Sequence, residues 1–81
     1  MDILLVVNII GWLGSAAVVS AYALISTRRV RGDSLLYQLL NLIGSIFLVI
    51  NTFYLGALPS AFVNTIWIGI ALFALWRIAR K

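Results

Sequence analysis

The chain has 81 residues, of which 64% are hydrophobic and only 10% are charged. Soluble domains carry roughly 25% charged residues, so the composition excludes an ordinary water-soluble protein. The net charge is +4, but the basic residues stand only at the ends of apolar segments. Membrane topology accounts for that placement, and we expect no nucleic-acid partner. The sequence contains no Cys and no His, so we expect no disulfide, no metal site and no cofactor.

The first predicted element is a membrane-spanning helix at about residues 3–26. This segment is uncharged and longer than the ~20 residues needed to cross ~30 Å of hydrocarbon. It lacks the positive start of a signal peptide, so we expect it to be retained. A basic loop follows, in which Gly32 breaks the helix and Asp33 or Ser34 caps the next one.

The second and third spans are predicted at about residues 35–55 and 60–76. Between them lies a short turn in which Gly56 can end one helix. Pro59 suits the first turn of the next helix, where its missing N–H has no partner to lose. We therefore predict one domain over residues 1–81, an all-α membrane protein built as a bundle of three transmembrane helices.

Two groups of basic residues decide the predicted orientation. One lies in the first loop and the other at the C-terminus: Arg28, Arg29 and Arg31, and Arg77, Arg80 and Lys81. With three spans both groups lie on one side, which the positive-inside rule makes the cytoplasm. The N-terminus is then outside, and we expect a multi-pass protein of the inner cell membrane. Contact between the loop arginines and anionic lipid is an alternative role for these charges.

Each predicted span carries small and polar residues on one helical face, at separations of three, four and seven. The three sets are Asn8, Gly11, Ser15 and Tyr22; Gln38, Asn41, Ser45 and Thr52; and Asn64, Trp67 and Ala71. Such faces bring membrane helices together. Asn41, Asn51 and Asn64 have a second interpretation, because carboxamides both donate and accept and can bind hydroxylated or zwitterionic solutes. The spacing does not decide between these roles.

No predicted span contains Asp, Glu, Lys, Arg or His. The spans therefore offer no proton relay and no charge for ion coupling. Asp2 and Asp33 are the only carboxylate side chains, and they cannot form a paired acid and base, so we do not expect an enzyme. If the chain transports, facilitated diffusion of a neutral solute is the simplest expectation.

The segment that enters the third span reads Leu58-Pro59-Ser60-Ala61-Phe62-Val63-Asn64. It looks like a Leu-Pro followed five residues later by a substrate-contacting Asn, as in the SemiSWEET proteins of the PQ-loop (MtN3/saliva) superfamily. The resemblance extends over nearly the whole chain and includes Ile10-Gly11-Trp12, Ser34 after the basic loop, and Gly44. It implies a triple-helix bundle and a substrate-binding role for Asn64.

The chain departs from this family at three points. The stretch Ser20-Ala21-Tyr22-Ala23-Leu24 occupies the place of the Pro-Gln pair, so we expect the first helix to bend less than in the resembling transporters. Leu48 stands where a sugar-stacking Trp is expected, and Asn51 where a Tyr is expected. Trp67, one turn beyond Asn64, could supply the stacking surface or simply pack against helices or lipid. The resemblance therefore implies the fold and the topology, but not sugar as the substrate.

Three helices are too few to enclose a solute path, so geometry and resemblance favour a homodimer. We expect a half-transporter that moves a small neutral solute, sugar-like if the resemblance extends to the ligand, by uncoupled alternating access. Its predicted pocket is lined by Asn41, Ser45, Asn51, Asn64 and Trp67. The alternative is a non-transporting module that docks onto a larger membrane complex through its polar faces. Membrane lipids are the remaining expected partner.

Overall fold

The computed structural model describes residues 2–80, which form three α-helices: α1 (Ile3–Ser26), α2 (Leu35–Tyr54) and α3 (Leu58–Arg80). They contain 24, 20 and 23 residues, which corresponds to about 36, 30 and 34 Å at 1.5 Å per residue. All three are long and apolar enough to cross a membrane. The prediction of an all-α chain with three candidate membrane spans is confirmed, and the three spans indicate a membrane protein.

The predicted helix bounds hold at α1 and shift at the other two helices. Helix α2 ends one residue earlier than predicted, whereas α3 starts at Leu58 rather than residue 60 and continues to Arg80 rather than residue 76. The prediction of α3 stopped where the apolar run stops. The helix continues because the arginines of its last turn lie over aromatic rings one turn earlier and suit the negative end of the helix dipole. Lys81 lies outside the described residues.

Side-chain caps define where α1 and α2 begin. The Asp2 carboxylate accepts a hydrogen bond of 3.1 Å from the backbone amide two residues on. Of the two candidate caps for α2, Ser34 accepts from the Tyr37 amide at 3.1 Å. Asp33 instead forms an ion pair with Arg31 at 3.3 Å. Both helices therefore start with one of their free N–H groups satisfied by an oxygen.

The two connections differ in length but end their helices in the same way. Residues 27–34 join α1 to α2, and residues 55–57 join α2 to α3. Arg28 (φ 60°) and Gly56 (φ 77°) have left-handed backbone conformations. In each case the following amide donates to the carbonyl five residues before it, at 2.9 Å after Arg28 and 2.8 Å after Gly56. Both are Schellman motifs, one with the preferred glycine and one with an arginine.

Helix α2 is the centre of the bundle. It packs against both α1 and α3, whereas no Cα atom of the described α1 lies within 8 Å of one in α3. The molecule measures 43 × 22 × 22 Å, so its long axis matches the height of a bilayer with its headgroups. The space between α1 and α3 is therefore open along one side of α2.

Small residues fill the helix contacts, and large ones point outward. Trp12 is 78% exposed and Tyr22 is 71% exposed. This distribution is the reverse of a soluble core and is typical of membrane helices, which approach one another through small residues. The buried residues are Val7, Gly11, Gly14, Ala21, Asn41, Gly44, Ser45, Ala61 and Ala71.

Candidate functional site

The contact between α1 and α2 is a close glycine crossing. A Cβ atom built on Gly14 would lie 2.8 Å from the Cβ of Phe47 and 2.9 Å from the carbonyl oxygen of Gly44. A Cβ atom on Gly44 would lie 2.7 Å from a methyl group of Val18. Real Cβ atoms do not come this close to neighbours, so the two backbones approach to a distance that only glycine allows.

A hydrogen bond reinforces this crossing near the α2–α3 turn. The side-chain amide of Asn51 donates to the backbone carbonyl of Val7 at 3.0 Å, beside Gly11, where a Cβ would meet the Asn51 side chain. This carbonyl already serves α1, and carbonyl oxygens have two lone pairs. Asn51 therefore joins α1 to α2 with its amide nitrogen.

The contact between α2 and α3 has a different character. Among residues 2–80, no side-chain hydrogen bond joins these two helices. The polar side chains bond instead to their own helix, Asn41 to the Tyr37 carbonyl at 3.2 Å and Asn64 to the Ser60 carbonyl at 3.0 Å. The Ser45 hydroxyl is completely buried and has no hydrogen-bond partner among the described residues. This interface is held by packing.

Two of the grooves along α2 are lined in part by polar side chains. The turn-side groove, near the α2–α3 turn, runs between α1 and α2 and is lined by Asn8, Gly11, Trp12, Ser15, Asn51 and Leu55. The loop-side groove, toward the α1–α2 loop, runs between α2 and α3 and is lined by Tyr37, Gln38, Asn41, Trp67, Ile70 and Ala71. Both combine carboxamides with an indole ring, as sites for small polar molecules often do.

Helix geometry shows that both grooves open on the same side of the molecule. On α1, Asn8 and Ser15 each come directly after a residue that contacts α2. Each therefore lies about 100° around the helix axis from the face that contacts α2. On α2, Asn41, which lies toward α3, is about 60° further round than Gly44, which contacts α1. Because α1 and α2 are right-handed and antiparallel, a rotation in the direction of increasing residue number moves a side chain on either helix toward the same side of the plane that contains both helix axes. The polar flank of α1 therefore faces the open space beside α3.

The five predicted site residues do not lie together within one chain. Asn41, 8% exposed, and Trp67 share the loop-side groove. Asn51 lines the turn-side groove. Asn64 is half-buried and Ser45 is sealed inside the bundle, and neither is among the residues lining the two grooves.

The polar stripe predicted on α1 is offset from the face that packs. The packing face consists of Val7, Gly11, Gly14 and Ala21. Asn8 and Tyr22 are exposed beside it, since each is one residue further along than a buried position. Asn8 and Ser15, predicted on a face for helix contact, thus line the turn-side groove together with Trp12, which was not predicted there. Their spacing at four and three residues was the available signal.

The described residues contain no cluster of acidic side chains that could hold a metal ion. No curated protein and no solved structure matches the chain significantly. A protein-family model does match, over residues 7–81. It covers all three helices apart from the first residues of α1, and the chain therefore belongs to that family.

Proposed function

We propose that the chain is one half of a homodimeric membrane transporter for a small neutral solute. The observation that carries this proposal is that the polar flank of α1 and the Asn41–Trp67 pair face the same open side of the bundle. Polar side chains on a membrane helix favour a protein partner or a water-filled path over acyl chains. An open groove of this composition is half of a solute path.

A second copy would close the path. Because α1 and α3 do not meet, one chain presents its groove to the surroundings. A two-fold axis along the membrane normal would turn two identical grooves toward each other. Asn8, Asn41, Asn51 and Trp67 of both copies would then line one central cavity, and the membrane would contact only the apolar outer faces.

The groove chemistry suits a solute with hydroxyl or amide groups. The Asn41 amide nitrogen donates one hydrogen within α2, so its oxygen and its second N–H are left for a solute. Trp67 is 48% exposed and provides a flat apolar surface. Of Asp, Glu, Lys, Arg and His, the spans contain only the arginines at the end of α3, which favours uncoupled alternating access. The SemiSWEET resemblance suggests the same class of activity.

The proposed orientation places the arginine loop and the C-terminus in the cytoplasm and the α2–α3 turn outside, in the inner cell membrane. The positive-inside rule supports it. Labelling from one side of sealed vesicles, at single cysteines introduced by Gly32→Cys and Ala57→Cys, tests it directly, because the chain has no native Cys. The two positions should react from opposite sides.

Solute uptake into proteoliposomes tests the transport proposal. We expect uptake of labelled neutral solutes, and a fall of about tenfold for Asn41→Ala and for Trp67→Leu. Gly69→Ala is the matched control, since nothing lies within 4 Å of a Cβ at that position. Asn64→Ala tests the residue implied by resemblance alone. Unchanged uptake would remove Asn64 from the site.

Crosslinking tests the dimer independently of the solute. Val19 is 65% exposed on the polar flank of α1, and Leu13 is 55% exposed elsewhere on the same helix. With a short bis-maleimide, Val19→Cys should yield covalent dimers in the membrane, and Leu13→Cys should not. Equal yields from both positions would contradict a dimer closed across the groove.

The second candidate is a module that docks onto a larger membrane complex. The observation that favours it is that Asn41, Asn51 and Asn64 each donate to a backbone carbonyl, as residues that stabilise helices and helix contacts do. The flank of α1 would then contact a different protein. Oligomeric state in mild detergent separates the two proposals, since a monomer that co-purifies with an unrelated membrane protein supports only the second.

A further inference from the structure

The last two turns of α3 carry two aromatic rings and two arginines that interleave. This group, the α3 cluster, consists of Phe73, Trp76, Arg77 and Arg80. The Arg77 guanidinium carbon lies 5.9 Å from the centre of the Phe73 ring, and that of Arg80 lies 4.6 Å from the centre of the Trp76 ring. The two ring centres are 5.9 Å apart. Cation–π contacts thus hold both guanidinium groups beside the helix.

The cluster faces away from the bundle. Phe73 is 58% exposed and Trp76 is 53% exposed, whereas Ala71 on the same helix is buried against α2. The aromatic residues stand at the end of the apolar run and the arginines just beyond it. In a bilayer this puts the rings at the boundary of the hydrocarbon and the guanidinium groups among the headgroups.

The arginines of the first loop lack these features. Residues 27–34 contain no aromatic residue, and Arg31 forms an ion pair with Asp33. Arg77 in addition borders a groove between the loop and α3, whose other lining residues are Gly32, Asp33, Ala74 and Ile78. The α3 cluster therefore offers pre-positioned cations with an apolar surface below them.

We propose that the α3 cluster binds an anionic phospholipid of the surrounding membrane. Guanidinium groups bind phosphate oxygens in bidentate fashion, and the rings of Phe73 and Trp76 would contact the upper acyl chains. The aromatic partners reduce the conformational freedom that Arg77 and Arg80 lose on binding. This site is independent of the transport proposal, because none of its four residues lines the turn-side or the loop-side groove.

Lipid quenching of Trp76 tests the proposal. In a Trp12→Phe/Trp67→Phe background Trp76 is the sole tryptophan, and brominated phosphatidylglycerol or brominated phosphatidylcholine is titrated into micelles of a non-ionic detergent. We expect the anionic lipid to bind preferentially. Each basic residue near an anionic surface contributes about 1 kcal/mol, or about fivefold in affinity. Arg77→Gln/Arg80→Gln should therefore reduce the preference by about five- to thirtyfold.

The matched control is Arg28→Gln/Arg29→Gln, which removes the same charge from the same end of the molecule. It should retain most of the preference for the anionic lipid. Arg77→Lys/Arg80→Lys, which keeps the charge but not the planar group, should give an intermediate value. Helical content by circular dichroism checks that each variant is folded.

Three results would overturn the proposal. One is equal loss in both Gln double variants, which would indicate general charge attraction. Another is the absence of any lipid preference in the chain with native arginines. The third is full displacement of the brominated lipid by millimolar inorganic phosphate, which would indicate a site for a soluble anion instead.

Discussion

Helix α2 is held to its two neighbours in opposite ways. With α1 it shares a close glycine crossing and a hydrogen bond from Asn51, but the connection between them spans eight residues, 27–34. With α3 it shares no side-chain hydrogen bond among residues 2–80, but only residues 55–57 connect the two. The first pair is fixed by its interface and the second by its turn.

This difference suggests which part of the molecule can move. The close approach of the two backbones at Gly14 and Gly44 leaves α1 and α2 little freedom to move relative to each other. Packing alone, in contrast, permits small shifts of α3 along α2. If the proposed solute path opens alternately to each side of the membrane, we expect α1 and α2 to move together as one rigid body. Four substitutions test this contrast between an interface-held pair and a turn-held pair.

Gly14→Val should have the largest effect on stability. The added side chain would overlap Phe47 and the Gly44 backbone, and overpacking of this kind costs about 2–3 kcal/mol. Unfolding in mixed micelles with increasing dodecyl sulfate, followed by circular dichroism, measures the loss. Gly69→Val is the control because its surroundings are open. A similar loss in both variants would mean that the crossing is not the tight contact described.

Gly56→Ala should weaken the turn-held pair by about 1–2 kcal/mol, because an L side chain is strained at φ 77°. The same unfolding measurement applies. Ala57→Ser, next in the chain, changes no special backbone angle and adds a hydroxyl at the N-cap position of α3, so it should not lower the free energy of unfolding. No loss in Gly56→Ala would show that the turn does not constrain α3.

Asn51→Leu should cost about 0.6 kcal/mol, the average for such bonds within membranes, since it removes the side-chain hydrogen bond between α1 and α2. Asn64→Leu is the matched control, because Asn64 bonds only within its own helix and should lose less. Equal losses at both positions would contradict a difference between the interfaces.

Arg28→Gly should show the smallest effect and the opposite sign. Arg28 has φ 60°, a conformation that glycine adopts without steric cost. The substitution therefore removes backbone strain from the folded state. Part of this stabilisation is offset by the larger entropy of the unfolded chain, so we expect the free energy of unfolding to rise by about 0.5 kcal/mol in the same assay. A loss of stability would mean that the arginine side chain makes a contact that outweighs its backbone strain.

The sequence predicts the helices well because length, hydropathy and capping residues are local properties. The first span, predicted at about residues 3–26, matches α1, and Ser34 was one of two candidate caps. The end of α3 was missed because hydropathy stops at Trp76, while the helix is extended by contacts of Arg77 and Arg80 with rings one turn earlier. Side-chain contacts of this kind are invisible in a hydropathy profile.

The candidate site was harder to predict than the helices. Periodicity indicates that Asn8 and Ser15 share a face, but it cannot show whether that face meets α2 or an open groove. The buried face one position away consists of Val, Gly and Ala, residues that apolar spans contain everywhere. Nor does a single sequence indicate that α2 rather than α3 lies in the middle. These assignments needed the helix contacts themselves.

The unequal lengths of α1 and α2 couple the molecule to the thickness of its membrane. A hydrocarbon layer of ~30 Å matches α2 standing upright, whereas α1, about 36 Å long, must tilt to stay within it. The glycine crossing at Gly14 and Gly44 is the pivot of that tilt. A thinner bilayer would increase the angle between the two helices and a thicker one would reduce it. The width of the turn-side groove should change with this angle.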